Sequence, residues 1–211
     1  MGEVSALILA AGRSTRFGKK DKLREQIDGK PILSHVIDRV LSAGPDRCFV
    51  VVRAGDQDLI DLCTPYSITI VSCADAFLGM GHSLRAGVKA APIHHRLLVC
   101  LGDMPFVAPE TMRVVMAAVR RSDHENAIIF PVHKNRRGHP AAFGANHRES
   151  LLSLSGDSGA ASLITANPAQ CQRVPVIDPG IHRDIDRPED LAGSADRRLD
   201  GTAWWIRTTD L

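Results

Sequence analysis

Short apolar runs alternate with amphipathic stretches along the first two thirds of the chain. Residues 5 to 11, 48–52, 68–71, 96–101 and 128–132 are runs too short for helices and apolar at successive positions. Such runs read as strands buried on both faces of a parallel sheet. Between them, Ile32, Leu33, Val36, Ile37, Val40 and Leu41 recur at helical spacing, and Gly44-Pro45 stops that helix. Asp28-Gly29-Lys30-Pro31 reads as a turn with Pro31 in the first helical position. A short helix over 56–63 directs Leu59, Ile60 and Leu62 inward. Glycines at 79 and 81 open a further helix that carries Leu84 and Val88, and the helix at 109–121 carries Met112, Val115, Met116 and Val119. The β-α-β-α-β-α-β alternation predicts an α/β fold, a Rossmann-like doubly wound, mostly parallel sheet. After residue 132 the alternation weakens: a basic turn at 135–140 leads into a short strand, a helix starts near 156–161, a late strand covers 174–177, and Pro188 opens a last helix.

The chain has 211 residues, enough for one domain with a full core. The pattern assigns 1–192 to that domain and 193–211, with Trp204-Trp205 and no periodicity, to a loosely packed or disordered tail. A net charge of +2 gives no footprint for nucleic-acid binding. No apolar run reaches the length of a membrane span, and the first residues lack the layout of a signal peptide, so a cytoplasmic protein is the expectation. The five cysteines include no Cys-x-x-Cys pair, which speaks against a disulfide scaffold or structural zinc site. Cys48 and Cys100 read as core residues, and His94-His95 as a surface turn.

Candidate chemistry concentrates where the first apolar run ends. Gly12 and Gly18 bracket a stretch in which Arg13, Arg16, Lys19, Lys20 and Lys22 fall close together. A loop at the carboxyl end of a parallel strand lies where open α/β sheets bind ligands. Glycines let backbone N–H groups approach a polyanion, and the cations neutralise it. The expected ligand is a nucleoside triphosphate. A Walker A loop does not fit, because five residues separate the glycines and Lys19 is followed by Lys20. A dinucleotide fingerprint is absent from Gly12-Arg13-Ser14 as well. Further on, the apolar run 96–101 ends in Gly102-Asp103. A carboxylate at the end of a central strand is placed to hold Mg²⁺ against phosphate oxygens, or else to cap the helix that starts at Pro109.

These segments together resemble the MobA/MocA-like nucleotidyltransferases. The stretch Leu9-Ala10-Ala11-Gly12-Arg13-Ser14-Thr15-Arg16-Phe17-Gly18, running on to Asp21-Lys22-Leu23, is similar to that family's signature loop. Four later segments match in family order: Gly79-Met80-Gly81-His82-Ser83-Leu84, Leu101-Gly102-Asp103-Met104-Pro105, Arg137-Gly138-His139-Pro140, and Asp184-Ile185-Asp186-Arg187-Pro188-Glu189-Asp190-Leu191. Gly156-Asp157-Ser158-Gly159-Ala160 adds a similar element. The likeness spans roughly residues 5 to 191 and implies a nucleotide-diphospho-sugar transferase-like fold.

The resemblance also implies roles. Leu9, Ala10, Ala11, Gly12, Arg13, Ser14, Arg16 and Lys22 would bind the triphosphate, with Gly79, Met80, Gly81 and Ser83 by the base. Arg16, Lys22 and Asp103 would be catalytic, and Asp103 and Asp186 would hold Mg²⁺. Arg137, Gly138, His139, Asp157 and Ser158 would face the acceptor. Leu-Ala-Ala-Gly and Gly-Met-Gly-His-Ser-Leu look most like the molybdenum-cofactor cytidylyltransferase branch. That branch joins CMP from CTP to the phosphate of the molybdopterin cofactor, with a molybdoenzyme as possible recipient. Two other readings stand beside it. One is a guanylyltransferase, or a transferase using another phosphorylated acceptor. The other is a carrier or maturation chaperone that keeps the fold without catalysis.

Overall fold

The computed structural model describes residues 2–12, 21–122 and 124–192. Ten strands are present in it: β1 Val4–Leu9, β2 Gln26–Ile27, β3 Lys30–Pro31, β4 Arg47–Arg53, β5 Thr69–Cys73, β6 Arg96–Leu101, β7 Ile128–His133, β8 Arg136–Arg137, β9 Ala141–Phe143 and β10 Cys171–Pro175. Seven α-helices accompany them: α1 Ile32–Ala43, α2 Gln57–Cys63, α3 Met80–Ala90, α4 Pro109–Arg121, α5 Arg148–Leu152, α6 Ala160–Ala166 and α7 Glu189–Ala192.

The main sheet runs β10-β7-β9-β6-β1-β4-β5, with β8 paired to β7. β1 lies parallel to both β4 and β6, β4 to β5, and β7 to β10. Only β9, between β6 and β7, and the short β8 run antiparallel. The expected doubly wound, mostly parallel sheet is therefore what the chain forms. It moves outward from β1 to β4 and β5, then crosses back to place β6 on the other flank of β1. That reversal makes the β1/β6 boundary a topological switch point, with a crevice beyond the strands' carboxyl ends.

Alternation along β1 divides the core. Val4, Ala6 and Ile8 are wholly buried in a cluster with α1, α4, Cys48, Val50, Leu98 and Cys100. Leu7 joins Phe49, Leu84, Val88, Val99 and Phe143 on the opposite face. Burial of both faces explains why these strands read as unbroken apolar runs. The α4 positions expected to point inward, Met112, Val115, Met116 and Val119, are all buried. Gly44 ends α1 in the left-handed conformation, with φ 75°.

Several local expectations shift. Pro31 is the N-cap of α1 and also belongs to β3, because Gln26–Ile27 and Lys30–Pro31 form a small hairpin around Asp28-Gly29. The late strand begins at Cys171 and ends at Pro175, earlier than 174–177, since its register follows Ile128 to Val132 of β7. His95 is buried: Nδ1 lies 2.9 Å from Ser5 Oγ, and Nε2 lies 3.0 Å from Glu3 Oε2. His94 alone remains a surface residue. Among the described residues, no helix is long and apolar enough to cross a membrane. The tail, like Arg13, Ser14 and Arg16, lies outside the described residues.

Candidate active site

Two strands meet at the switch point, and their ends hold one another. Gly102 donates from N to Leu9 O at 2.9 Å, while a Cβ at position 102 would lie 2.9 Å from that same oxygen. Glycine therefore lets the end of β6 pass tightly against the end of β1, just before Asp103. Asp103 is not a helix cap. The N-cap of α4 is Ala108, whose N donates to Asp178 Oδ2 at 2.9 Å, and Thr111 Oγ1 donates to the same oxygen at 2.6 Å.

Lys22 reaches the crevice from the other side of the glycine-bounded segment. It opens a 3₁₀ turn, Lys22–Arg24, capped by Asp21 Oδ1, which accepts from Leu23 N at 3.0 Å. Its Nζ donates to Asp103 Oδ2 at 2.7 Å and to Asp186 Oδ1 at 2.9 Å. Asp186 is brought in by Ile185, whose N donates to Asp103 O at 2.9 Å. The N–H groups of Asp186 and Arg187 both donate to Asp190 Oδ2, at 2.9 and 2.8 Å, which fixes the turn. The two candidate metal ligands, far apart in sequence, thus share one ammonium. The side chain of Lys22 is 13% exposed, so it is no open surface lysine. Burial pulls its pKa down, but the charges and hydrogen bonds of Asp103 and Asp186 outweigh that and raise it.

Asp103 Oδ1 is buried and has no hydrogen-bond partner among the described residues. A buried carboxylate oxygen left unpaired is costly. Hard oxygen donors of this kind suit Mg²⁺ or another divalent cation that completes its shell with phosphate oxygens and water. Among the described residues no three His, Cys, Asp or Glu side chains form a closed metal cluster. Two carboxylates facing an open crevice fit a cation shared with a substrate better than a structural ion.

The expected base-side and acceptor-side segments are in direct contact. Gly79 has φ 119°, and a Cβ there would lie 2.3 Å from Gly156 C and 2.7 Å from Asp157 Oδ1. Gly81 N donates to Gly156 O at 2.9 Å. The glycines thus let the start of α3 pack onto the backbone of 155–157. Asp157 and Ser158 do not cap α6, whose N-cap is Gly159 without a side-chain bond. Met80 is 45% exposed at this rim, whereas Ser83 is buried, and the Cys73 thiol donates to His82 O at 3.7 Å. Ala11 is also buried, in a small cluster with Val51, Cys73 and Ala76. Leu9 and Ala10 line the strand end, and Gly12 is exposed just beyond it.

On the other flank, Arg137 is exposed and its guanidinium sits 5.8 Å from the centre of the Phe130 ring. With Arg136, Asn135 and Arg173 it borders an open hollow of ≈ 550 Å³. Gly138 is packed against Ile181, and His139 N donates to Ile181 O at 3.0 Å. His139 is half-buried, and its buried Nδ1 has no hydrogen-bond partner among the described residues. Burial lowers its pKa, Arg137 adds to that, and Asp103 and Asp184 oppose it.

The sequence reading missed Arg53. This residue ends β4 and donates to Gly12 O, Asp21 Oδ2 and Asp56 Oδ2. An isolated arginine after an apolar run gave no signal of that role, because Asp21 and Gly12 come to it only through strand pairing.

A mostly parallel sheet of this order, with a charged crevice at the β1/β6 switch point, is a Rossmann-like fold of the nucleotide-diphospho-sugar transferase type. The chain belongs to the family of MobA-like NTP transferase domains, whose family model matches residues 6–173. It is 35% identical over 115 residues to the bifunctional protein GlmU of Halorhodospira halophila, a match covering 54% of this chain and 24% of that protein. The matched segment thus spans only about a quarter of that relative. Similarity to nicotine blue oxidoreductase of Paenarthrobacter nicotinovorans is 27% identity over 192 residues, covering 89% of this chain and 94% of that one. Among solved structures, Rv0371c of Mycobacterium tuberculosis superposes with a TM-score of 0.80 at 22% identity, over 93% of this chain and 98% of that one. A nucleotidyl transferase of Methanothermobacter thermautotroptrophicus gives 0.79 at 22% identity, over 93% and 97%. Rv0371c in complex with manganese gives 0.76 at 21% identity, over 92% and 98%.

Proposed function

We propose that this member of the family is a molybdenum cofactor cytidylyltransferase, joining CMP from CTP to molybdopterin with release of pyrophosphate. The observation that carries nucleotidyl transfer is Lys22 held between Asp103 and Asp186 at the switch point. An oxygen of the acceptor phosphate attacks the α-phosphorus of CTP. The new P–O bond forms as the bond to the bridging oxygen of the β-phosphate breaks, and pyrophosphate carries away the electron pair. Negative charge grows on the phosphoryl and leaving oxygens, so catalysis is chiefly positioning and electrostatic stabilisation.

In this reading Asp103 and Asp186 hold Mg²⁺, and the unpartnered Asp103 Oδ1 supports that fit. The cation supplies Lewis-acid neutralisation of phosphate oxygens. Rv0371c, which shares the fold, has been solved in complex with manganese, a divalent ion. Lys22 would turn its ammonium from the two carboxylates to the polyphosphate, and Arg16, outside the described residues, would act with it. The 9–14 segment would wrap the triphosphate and 79–83 would face the base. Arg137, Gly138, His139, Asp157 and Ser158 would border the acceptor.

CTP is favoured by the likeness of Leu9-Ala10-Ala11-Gly12 and Gly79-Met80-Gly81-His82-Ser83-Leu84 to the cytidylyltransferase branch. The full-length similarity to nicotine blue oxidoreductase supports no particular nucleotide. The test supplies each nucleoside triphosphate separately with Mg²⁺ and molybdopterin, and identifies the dinucleotide product. Product from CTP alone is expected. Product from GTP and not CTP assigns a guanylyltransferase. Tight molybdopterin binding with no product from any nucleotide assigns a carrier.

A further inference from the structure

Arg137 and Arg173 reach one face of the sheet from the two sides of β7. Arg173 on β10 is the register partner of Phe130, and Arg137 on β8 is the partner of Val132, two residues further along. Register partners share a face. Arg137 does turn to that face, where its guanidinium lies over the Phe130 ring. Phe130 and Val132 pack there in one cluster with Leu84 and Val88 of α3 and Ile164 of α6. The face is therefore the one whose helices begin at the base-side and acceptor-side segments.

The hollow that Phe130, Asn135, Arg136, Arg137 and Arg173 border opens beside the crevice. β9 runs antiparallel to both β6 and β7, so the carboxyl ends of β6 and β7 lie on one edge of the sheet. His139, two residues past Arg137, is within electrostatic reach of both Arg137 and Asp103. The wall is firmly built. Lys134 and Asn135, with φ 50° and 61°, form the two-residue turn between β7 and β8. Two left-handed residues in succession match the twist of the flanking strands, so Arg137 stands on a paired ladder and not on a free loop. Across the hollow, Arg173 Nη2 donates to Asn135 O at 3.4 Å.

Charge gives the hollow its ligand. No carboxylate lines it. Among the described residues neither Arg137 nor Arg173 has a carboxylate partner. Two uncompensated guanidiniums on one concave surface concentrate positive potential there. Each offers a planar fork of donors that matches an oxyanion. At ≈ 550 Å³ the hollow has the size of a small-molecule site.

We propose that Arg137 and Arg173 form a second anion site beside Phe130, which takes a negatively charged group of the acceptor remote from the phosphate that reacts. The proposal rests on the reading of the crevice as the transfer centre. The reacting end of the acceptor lies by Lys22, Asp103 and Asp186, and its far end lies between the two guanidiniums. An acceptor with negative charge at both ends is thereby selected over one that carries the reacting phosphate alone. Arg173, which no sequence motif marks, becomes a specificity-determining residue.

The test follows the side-chain Nε–H signals of Arg137 and Arg173 by NMR during titration with inorganic phosphate. Wild type is compared with Arg173→Ala and Arg173→Glu, and with Arg47→Ala as control, since Arg47 is exposed at the amino end of β4. Steady-state kinetics with CTP, Mg²⁺ and molybdopterin are measured on the same proteins. Phosphate is expected to shift both signals in the wild type. In Arg173→Ala the Arg137 response weakens about tenfold and KM for molybdopterin rises about tenfold, while kcat and KM for CTP stay within about twofold. Arg173→Glu loses more than Arg173→Ala, and Arg47→Ala matches the wild type. Signals that phosphate leaves unmoved, with an unchanged KM for molybdopterin in Arg173→Glu, overturn the proposal and leave nucleotidyl transfer standing. Shifted signals with an unchanged KM uphold the anion site and overturn its assignment to the acceptor. If the wild type turns over no nucleotide, the titration alone decides the anion site, and equilibrium binding of molybdopterin to wild type and Arg173→Glu decides its ligand.

Discussion

Lys22 Nζ lies 2.7 Å from Asp103 Oδ2, which ties the segment after β1 to the carboxyl end of β6. Lys22→Ala removes the cation from between two carboxylates. We expect kcat/KM to fall by about 10²–10³, in line with the loss of one transition-state contact. Stability falls by about 1–2 kcal/mol, more than for an exposed lysine, because the site is largely enclosed and Asp103 and Asp186 then repel one another. Thermal midpoint and steady-state kinetics of the same preparation check both figures. A large drop in midpoint with normal turnover of the surviving protein contradicts a catalytic role.

Asp103 and Asp186 differ in exposure, with side chains 21% and 36% exposed. Asp103 also carries the buried oxygen without a partner. Asp103→Asn should therefore weaken Mn²⁺ binding, followed by electron paramagnetic resonance, more than Asp186→Asn does. Equal Mn²⁺ affinity in wild type and Asp103→Asn assigns the carboxylate to structure alone.

The fold was largely legible because burial on both sheet faces writes strands as unbroken apolar runs, as in β1, β4 and β6. Helices α1 and α4 were equally clear from their spacing. The place of Asp103 at the crevice was legible for a related reason: a carboxylate just past the end of an apolar strand has little packing use. What stayed hidden depends on partners distant in sequence. Arg53 acquires its contacts from strand register, and His95 is buried only because Ser5 and Glu3 lie beside it. The contact of Gly79 with Gly156 joins two motifs that the sequence shows as separate. Short strands were misplaced, as at 171–175, because pairing with β7 sets their ends rather than local composition.

His139 gives a dependence on pH. Burial first, then Arg137, hold its pKa below the ordinary 6.5. The unfolded chain takes up a proton below that value before the folded chain does. Stability from this group is full above pH 6.5 and declines as pH falls through the depressed value. Denaturant unfolding of wild type and His139→Asn over this range should show the wild type losing stability relative to the variant on acidification. Parallel curves contradict a buried neutral imidazole.

The core thiols should resist modification. Burial pushes Cys48 up to about 12 and Cys63 up to about 11. Only about one Cys48 in ten thousand is thiolate at pH 8, and the thiolate is the reactive form. Iodoacetamide at pH 8 should leave both unmodified in the native protein and alkylate both in denaturant, read by peptide mass spectrometry. Rapid native alkylation of Cys48 contradicts its place in the core.

The most direct measurement is pyrophosphate release over many turnovers, with CTP, Mg²⁺ and molybdopterin, for wild type and Asp103→Asn side by side. The account predicts repeated turnover by the wild type, one pyrophosphate for each dinucleotide formed. It also predicts a loss of about 10²-fold or more in a folded Asp103→Asn protein. Undiminished release by Asp103→Asn, or no release by the wild type with any nucleoside triphosphate, contradicts a nucleotidyl-transfer centre built on Lys22, Asp103 and Asp186.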